Sequence, residues 1–141
     1  MKISAKTDYA CRAVLALAGH WPKATPLSIQ EISKAQQIPL KFLTHILIQL
    51  KHLGLVRSTR GKKGGYTLKK SPEEITLLHI IQGFSDHSLI PADNNPVYKQ
   101  DVWKSVWQEL DKVLVESLAA VNFHLLLQRR YNIDAVAMYE I

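Results

Sequence analysis

Residues 27–68 read LSIQEISKAQQIPLKFLTHILIQLKHLGLVRSTRGKKGGYTL, and three local signals follow one another in that run without a gap. Ser28 and Glu31 have the spacing of a capping box, and Leu27 and Ile32 occupy the two hydrophobic-staple positions around it. They predict a short helix from Ile29 to about Gln36. The link Gln37-Ile38-Pro39 is so short that the next helix must turn sharply against the first, the shape of a helix-turn-helix. That second helix is predicted from Leu40 to about Leu53, with Gly54 as the residue just past its end. At helical periodicity Leu43, Ile46, Leu47, Leu50 and Leu53 share one face, and Lys41, Thr44, His45, Ile48 and His52 share the other. Basic and hydrogen-bonding side chains on an outward stripe suit base edges and phosphates in a major groove.

Leu55–Thr59 then reads as a strand and Tyr66–Lys69 as its partner. Between them Arg60-Gly61-Lys62-Lys63-Gly64-Gly65 makes a basic, glycine-rich tip that can approach a surface closely. Three cations there can reach phosphates, or a guanidinium can enter a narrow minor groove. A hairpin directly after a helix-turn-helix is the wing of a winged helix.

Outward from this block, an N-terminal helix is expected from about Thr7 to His20. Downstream, Thr76 precedes a helix from Leu77 to about Phe84 that closes the core. Residues 85–101 lack periodicity and read as a connecting loop. The longest helix, Val102 to Val121 after Asp101, carries Trp103, Val106, Trp107, Leu110, Val113, Leu114 and Leu118 as an apolar stripe. A chain whose core is already covered has little left for such a stripe, so a two-fold partner is the economical occupant; the other reading is that this helix folds back on its own domain. Asn122 caps a last helix from Phe123 to about Arg130, and 131–141 is read as a tail. The expected class is mainly α: a winged helix-turn-helix over 1–84 with a two-stranded β-wing, the loop 85–101, and a dimerisation helix and tail over 102–141.

Charge agrees with that division. The 141 residues carry a formal net charge of +6. Residues 1–70 hold 13 lysines and arginines against Asp8 and Glu31, whereas 71–141 hold 5 against 10 acids. The asymmetry points to a polyanion-facing half, nucleic acid the first candidate and an anionic membrane surface the second, with a basic surface that has no anionic partner as the remaining reading. No apolar run approaches the ~20 residues of a membrane span and no signal-type stretch opens the chain, so the expected address is the cytoplasm. No nucleophile–base constellation, Walker loop or dinucleotide fingerprint is present, which argues against an enzyme. The six histidines lack metal-ligand spacing, and no metal site is expected.

These motifs resemble the IscR/NsrR/CymR-type bacterial winged-helix transcription regulators, the Rrf2 family. The match runs through Lys6-Thr7-Asp8-Tyr9-Ala10, Ile38-Pro39-Leu40-Lys41-Phe42-Leu43, Leu50 to Val56, Arg60 to Tyr66 and Ile75-Thr76-Leu77. The resemblance implies a sequence-specific regulator, a repressor, acting as a homodimer on an inverted-repeat operator in double-stranded DNA. By position Lys41, Thr44 and His45 match the base- and phosphate-facing start of the recognition helix, and Arg60 matches the minor-groove arginine, with Gly61 to Gly65, Gly64 among them, as its supporting backbone. Lys51, Lys62 and Lys63 are expected on phosphates, and Ser28, Phe42 and Tyr66 complete the expected DNA-binding set. Two other readings stay open: a protein-interaction module controlled by an enzyme partner, and a nonspecific architectural DNA binder.

The family's iron–sulfur members carry three cysteines after the fourth helix, and here that stretch has none. Cys11 is the one cysteine of the chain, so a family-type cluster is not expected and no cofactor is assigned. Asp8 matches a position that supplies an oxygen ligand in some members. Cys11 beside Arg12 admits two roles, a redox sensor activated by a cation or a small core residue. Any protein or small-molecule effector stays unnamed.

Overall fold

The computed structural model describes residues 2–85 and 102–139. Along the chain they form α1 (Ala5–Gly19), α2 (Ile29–Gln36), α3 (Leu40–His52), β1 (Val56–Thr59), β2 (Gly65–Leu68), α4 (Leu77–Phe84), α5 (Val102–Ala119) and α6 (Phe123–Tyr139). The mainly helical winged helix-turn-helix expected from the sequence is present.

α1 is the hub, because Ala10, Ala13 and Ala18 give it a small-residue surface that α2, α3, α4 and α6 approach closely. Val14 and Leu17 fill the space between them. The helix begins two residues before the expected start, since Ser4 caps it: its Oγ accepts the Thr7 N–H at 3.2 Å. Buried Thr7 is satisfied in turn, with Ser4 Oγ at 2.9 Å and Ser85 Oγ at 3.0 Å from its hydroxyl.

The predicted capping box forms: Ser28 Oγ accepts from the Glu31 N–H at 3.1 Å, and the Ser28 N–H donates to Glu31 Oε2 at 2.8 Å. α2 stops at Gln37, which takes a left-handed conformation at φ 55°. The turn is locked by Ser33, whose Oγ donates to the Ile38 carbonyl at 2.6 Å. α3 then buries Leu43, Ile46, Leu47 and Leu50, and Gly54 follows it with φ 75°.

Leu53 departs from expectation. It is the C-cap rather than a core residue and stays 40% exposed, because α3 has already ended at His52. It still packs under α4, where any side chain on Gly83 would run into it.

β1 and β2 pair antiparallel, with Val56 opposite Leu68 and Ser58 opposite Tyr66. α4 places Ile80 and Ile81 inside.

The last helix corrects the expected layout in two ways. Phe123 is fully buried and Leu127 nearly so, in the same core as α1, so the first turns of α6 belong to the winged-helix body rather than to a separate 102–141 unit. The Phe123 N–H donates to the Ile75 carbonyl at 3.0 Å and the Leu77 N–H to the Val121 carbonyl at 2.9 Å, which fixes this junction. α6 also continues through Tyr139 instead of ending near Arg130, since 131–139 contains neither glycine nor proline to stop it. Asn122 caps it as expected, its Oδ1 accepting from the Leu125 N–H at 2.9 Å. The expected loop beyond Ser85 and the cap at Asp101 lie outside the described residues.

Candidate nucleic-acid interface

The outward face of α3 and the hairpin tip are joined by two links that the sequence did not reveal. Leu27 pairs with Tyr66 through two backbone bonds, its N–H donating to the Tyr66 carbonyl at 3.0 Å and its carbonyl accepting at 2.8 Å. The segment entering α2 thus acts as a one-residue third strand on the wing. Gly65 makes this approach possible, because a Cβ there would collide with the Leu27 carbonyl. The second link is Lys51, whose Nζ donates to Ser58 Oγ at 2.8 Å and ties the last turn of α3 to β1. That ammonium keeps two further donors for a phosphate.

As a result Ser28, Gln30, Arg60, Gly61 and Gly64 line one groove between the start of α2 and the wing. Gln30 was not singled out in the sequence, where a polar residue inside a first helical turn carries no distinguishing signal. Gly61 takes φ 116° at the tip, a conformation L side chains rarely adopt. Arg60, Lys62 and Lys63 are exposed around it.

On α3, Lys41, Thr44 and His45 are exposed. Thr44 Oγ1 donates to the Leu40 carbonyl at 3.0 Å, which commits its proton and leaves the oxygen's lone pairs to accept. Phe42 is 45% exposed and stacks on Tyr9 with centroids 6.1 Å apart, while Lys41 Nζ lies 4.9 Å over its ring. Among the described residues, no carboxylate pairs with Lys41, Arg60, Lys62 or Lys63. Asp8, one of two acids in the basic half, is held by Arg12 at 2.8 Å.

The helix α5 presents the other candidate surface. None of its residues is buried; Trp103 is 53% exposed, Val113 59% and Leu110 47%. Trp103 and Trp107 stack with centroids 5.9 Å apart. Val106, Trp107, Leu114 and Leu118 are only partly covered.

Cys11 does not meet the expectation of a cation-activated thiolate. It is half-buried facing α6, and burial together with the Asp8 carboxylate pushes its thiol up to about 11. Arg12, the expected activator, is occupied by Asp8.

A family profile described as "Rrf2: Iron-dependent Transcriptional regulator" matches residues 3–129. A Synechocystis protein named as an HTH-type transcriptional regulator is 34% identical over 126 residues, covering 86% of this chain and 84% of its own length. Bacillus subtilis CymR, an HTH-type transcriptional regulator, is 29% identical and covers 85% of this chain and 91% of its own. Among solved structures, T. potens IscR superposes with a TM-score of 0.75 at 29% identity, over 92% of this chain and 88% of that one. That description implies iron. A thiolate-held cluster needs several cysteines, and the chain has Cys11 alone. No three histidine, cysteine or acidic residues converge among the described residues. The residues present do not fit such a cluster.

Proposed function

Since this chain belongs to the Rrf2 family of transcriptional regulators, we propose that it represses transcription as a homodimer bound to an inverted-repeat operator, without a cysteine-held iron–sulfur cluster. The relatives are regulators of DNA rather than enzymes. The observation that carries the finer reading is the coupling of wing and recognition helix. Leu27–Tyr66 and Lys51–Ser58 tie the wing to the helix-turn-helix, and no described carboxylate pairs with Lys41, Arg60, Lys62 or Lys63.

In this reading Lys62, Lys63 and Lys51 contact phosphates, which supply affinity and position. Lys41, Thr44 and His45 read the major groove, Phe42 packs beside them, and Arg60 enters the minor groove. Ser28, Gly61, Gly64 and Tyr66 shape the backbone surface between these contacts. The uncovered α5 stripe, Trp103 to Leu118, supports pairing with a second copy. Two-fold symmetry then requires half-sites about one helical turn apart, or a multiple of it.

The test is selection of bound sequences from random duplex DNA, followed by competition with unrelated DNA at physiological salt. A specific regulator retains a preference of about 10³-fold or more for a selected inverted repeat. Indiscriminate binding would move the protein to the architectural class. Weak binding with a stable protein partner would make it an interaction module.

A further inference from the structure

Between α1 and the first turns of α3 lies a cleft of about 430 Å³ that the DNA reading leaves without an occupant. It is lined by Ala5, Lys6, Tyr9, Phe42, His45 and Ile46. Ile46 forms a buried floor, and the stacked rings of Tyr9 and Phe42 form one side. The only formal charge in the lining is that of Lys6, an exposed side chain whose Nζ rests 5.7 Å from the centre of the Phe84 ring on α4. Lys41 Nζ lies 4.9 Å over the Phe42 ring. No carboxylate contributes to the lining.

An apolar lining with two aromatic rings, one flexible cation and no carboxylate is the chemistry of a small-ligand site. A planar ring can pack beside the Tyr9–Phe42 pair, and a negative group at its edge can draw the exposed Lys6 ammonium from Phe84. We propose that this cleft binds a small aromatic carboxylate and that the ligand acts as an effector. The route to DNA is short, because Phe42 and His45 are shared between the cleft and the outward face of α3. A ligand that shifts them alters the base-reading turn directly. This regulatory half rests on the assignment of α3 to DNA; the binding itself does not.

The experiment is a calorimetric titration of 2-naphthoate into the full chain without DNA, with 2-naphthamide as the uncharged counterpart. Naphthoate should saturate at one per chain and bind about fivefold more tightly than the amide, the size of one partly exposed ion pair. Lys6→Gln should erase that difference. Ala5→Trp, at an exposed position on the cleft's mouth, should weaken binding at least tenfold with the far-ultraviolet circular dichroism unchanged. No saturable binding up to millimolar naphthoate, or binding indifferent to both substitutions, overturns the site. Naphthoate that binds as expected but leaves the affinity for the selected DNA unchanged overturns the effector role. Because the titration is made without DNA, failure of the DNA reading would leave the binding result standing.

Discussion

α1 and α5 are both long helices with an apolar stripe, yet they treat it in opposite ways. Ala10, Ala13, Val14 and Leu17 of α1 are sealed in the core, and no residue of α5 is buried. The stripes differ in side-chain size as well as in position. Small alanines let four helices gather around α1. The larger side chains of α5 stay half-open: Trp103 and Leu110 are exposed, and Val106, Trp107, Leu114 and Leu118 are partly covered. Burial around α1 contributes to folding, and under the dimer proposed above the further burial of the α5 stripe would contribute to association.

The comparison is tested most severely at Phe123, which sits in the C-terminal part of the sequence but in the core of the N-terminal body. Phe123→Ala should cost about 3–5 kcal/mol of stability by denaturant unfolding, as expected for a fully buried aromatic. A loss confined to dimer affinity would return α6 to the dimerisation region. Next in size is Val113→Asp, on the open face of α5. It should weaken self-association by about 2 kcal/mol or more, roughly a 30-fold rise in the dimer dissociation constant by sedimentation, while the monomer keeps its native circular dichroism. A dimer of unchanged affinity would show that the α5 stripe is covered in some other way.

The same contrast governs what could be read from sequence. The helix-turn-helix was legible because its punctuation is local: Ser28 with Glu31, the short Gln37–Pro39 link, and Gly54 are decided within a few residues. The wing was legible for the same reason, through the Arg60–Gly65 tip. The links that unite the two into one surface were not. Leu27 pairs with Tyr66 by backbone groups that every residue possesses, and its hydrophobic side chain had already been explained as a staple. Lys51 and Ser58 lie seven residues apart across a turn, with no periodicity to connect them. Phe123 was assigned to a separate region because burial against α1 depends on contacts across the length of the chain. The extent of α6 is not legible either, because Tyr131 to Tyr139 lack an amphipathic pattern, and helices without one announce only their starts.

A smaller effect separates specificity from affinity within the basic body. Arg60→Ala should weaken binding to the selected DNA by about 1–3 kcal/mol and relax the preference at the bases beside the wing. Lys63→Gln should instead weaken all sequences alike and lower the salt slope by roughly one. Equal losses on specific and unrelated DNA for both variants would reduce the wing to a phosphate anchor. Wild-type affinity in Arg60→Ala would remove it from the interface altogether.

The smallest expected effect is at Cys11 of α1, whose side chain lines the crevice between α1 and the Phe123 turn of α6. Its thiol is pushed up to about 11 from an ordinary value of 9.0, by burial first and by the Asp8 carboxylate second. Only the thiolate attacks an alkylating agent, so iodoacetamide should label the native protein slowly at pH 8 and increasingly toward pH 11. In denaturant the thiol regains its ordinary value and labelling at pH 8 should accelerate. The linked stability has a definite sign: with the folded value raised, the protonated thiol's contribution is intact below pH 9 and is lost as pH rises through about 11. Cys11→Ala should flatten that part of the pH–stability curve relative to wild type. Asp8→Asn removes the second cause and leaves the first, so it should speed labelling only modestly. Fast labelling of native protein at pH 8 would mean that the crevice opens far more readily than the sealed surface around α1 allows, and it would restore Cys11 as a candidate sensor.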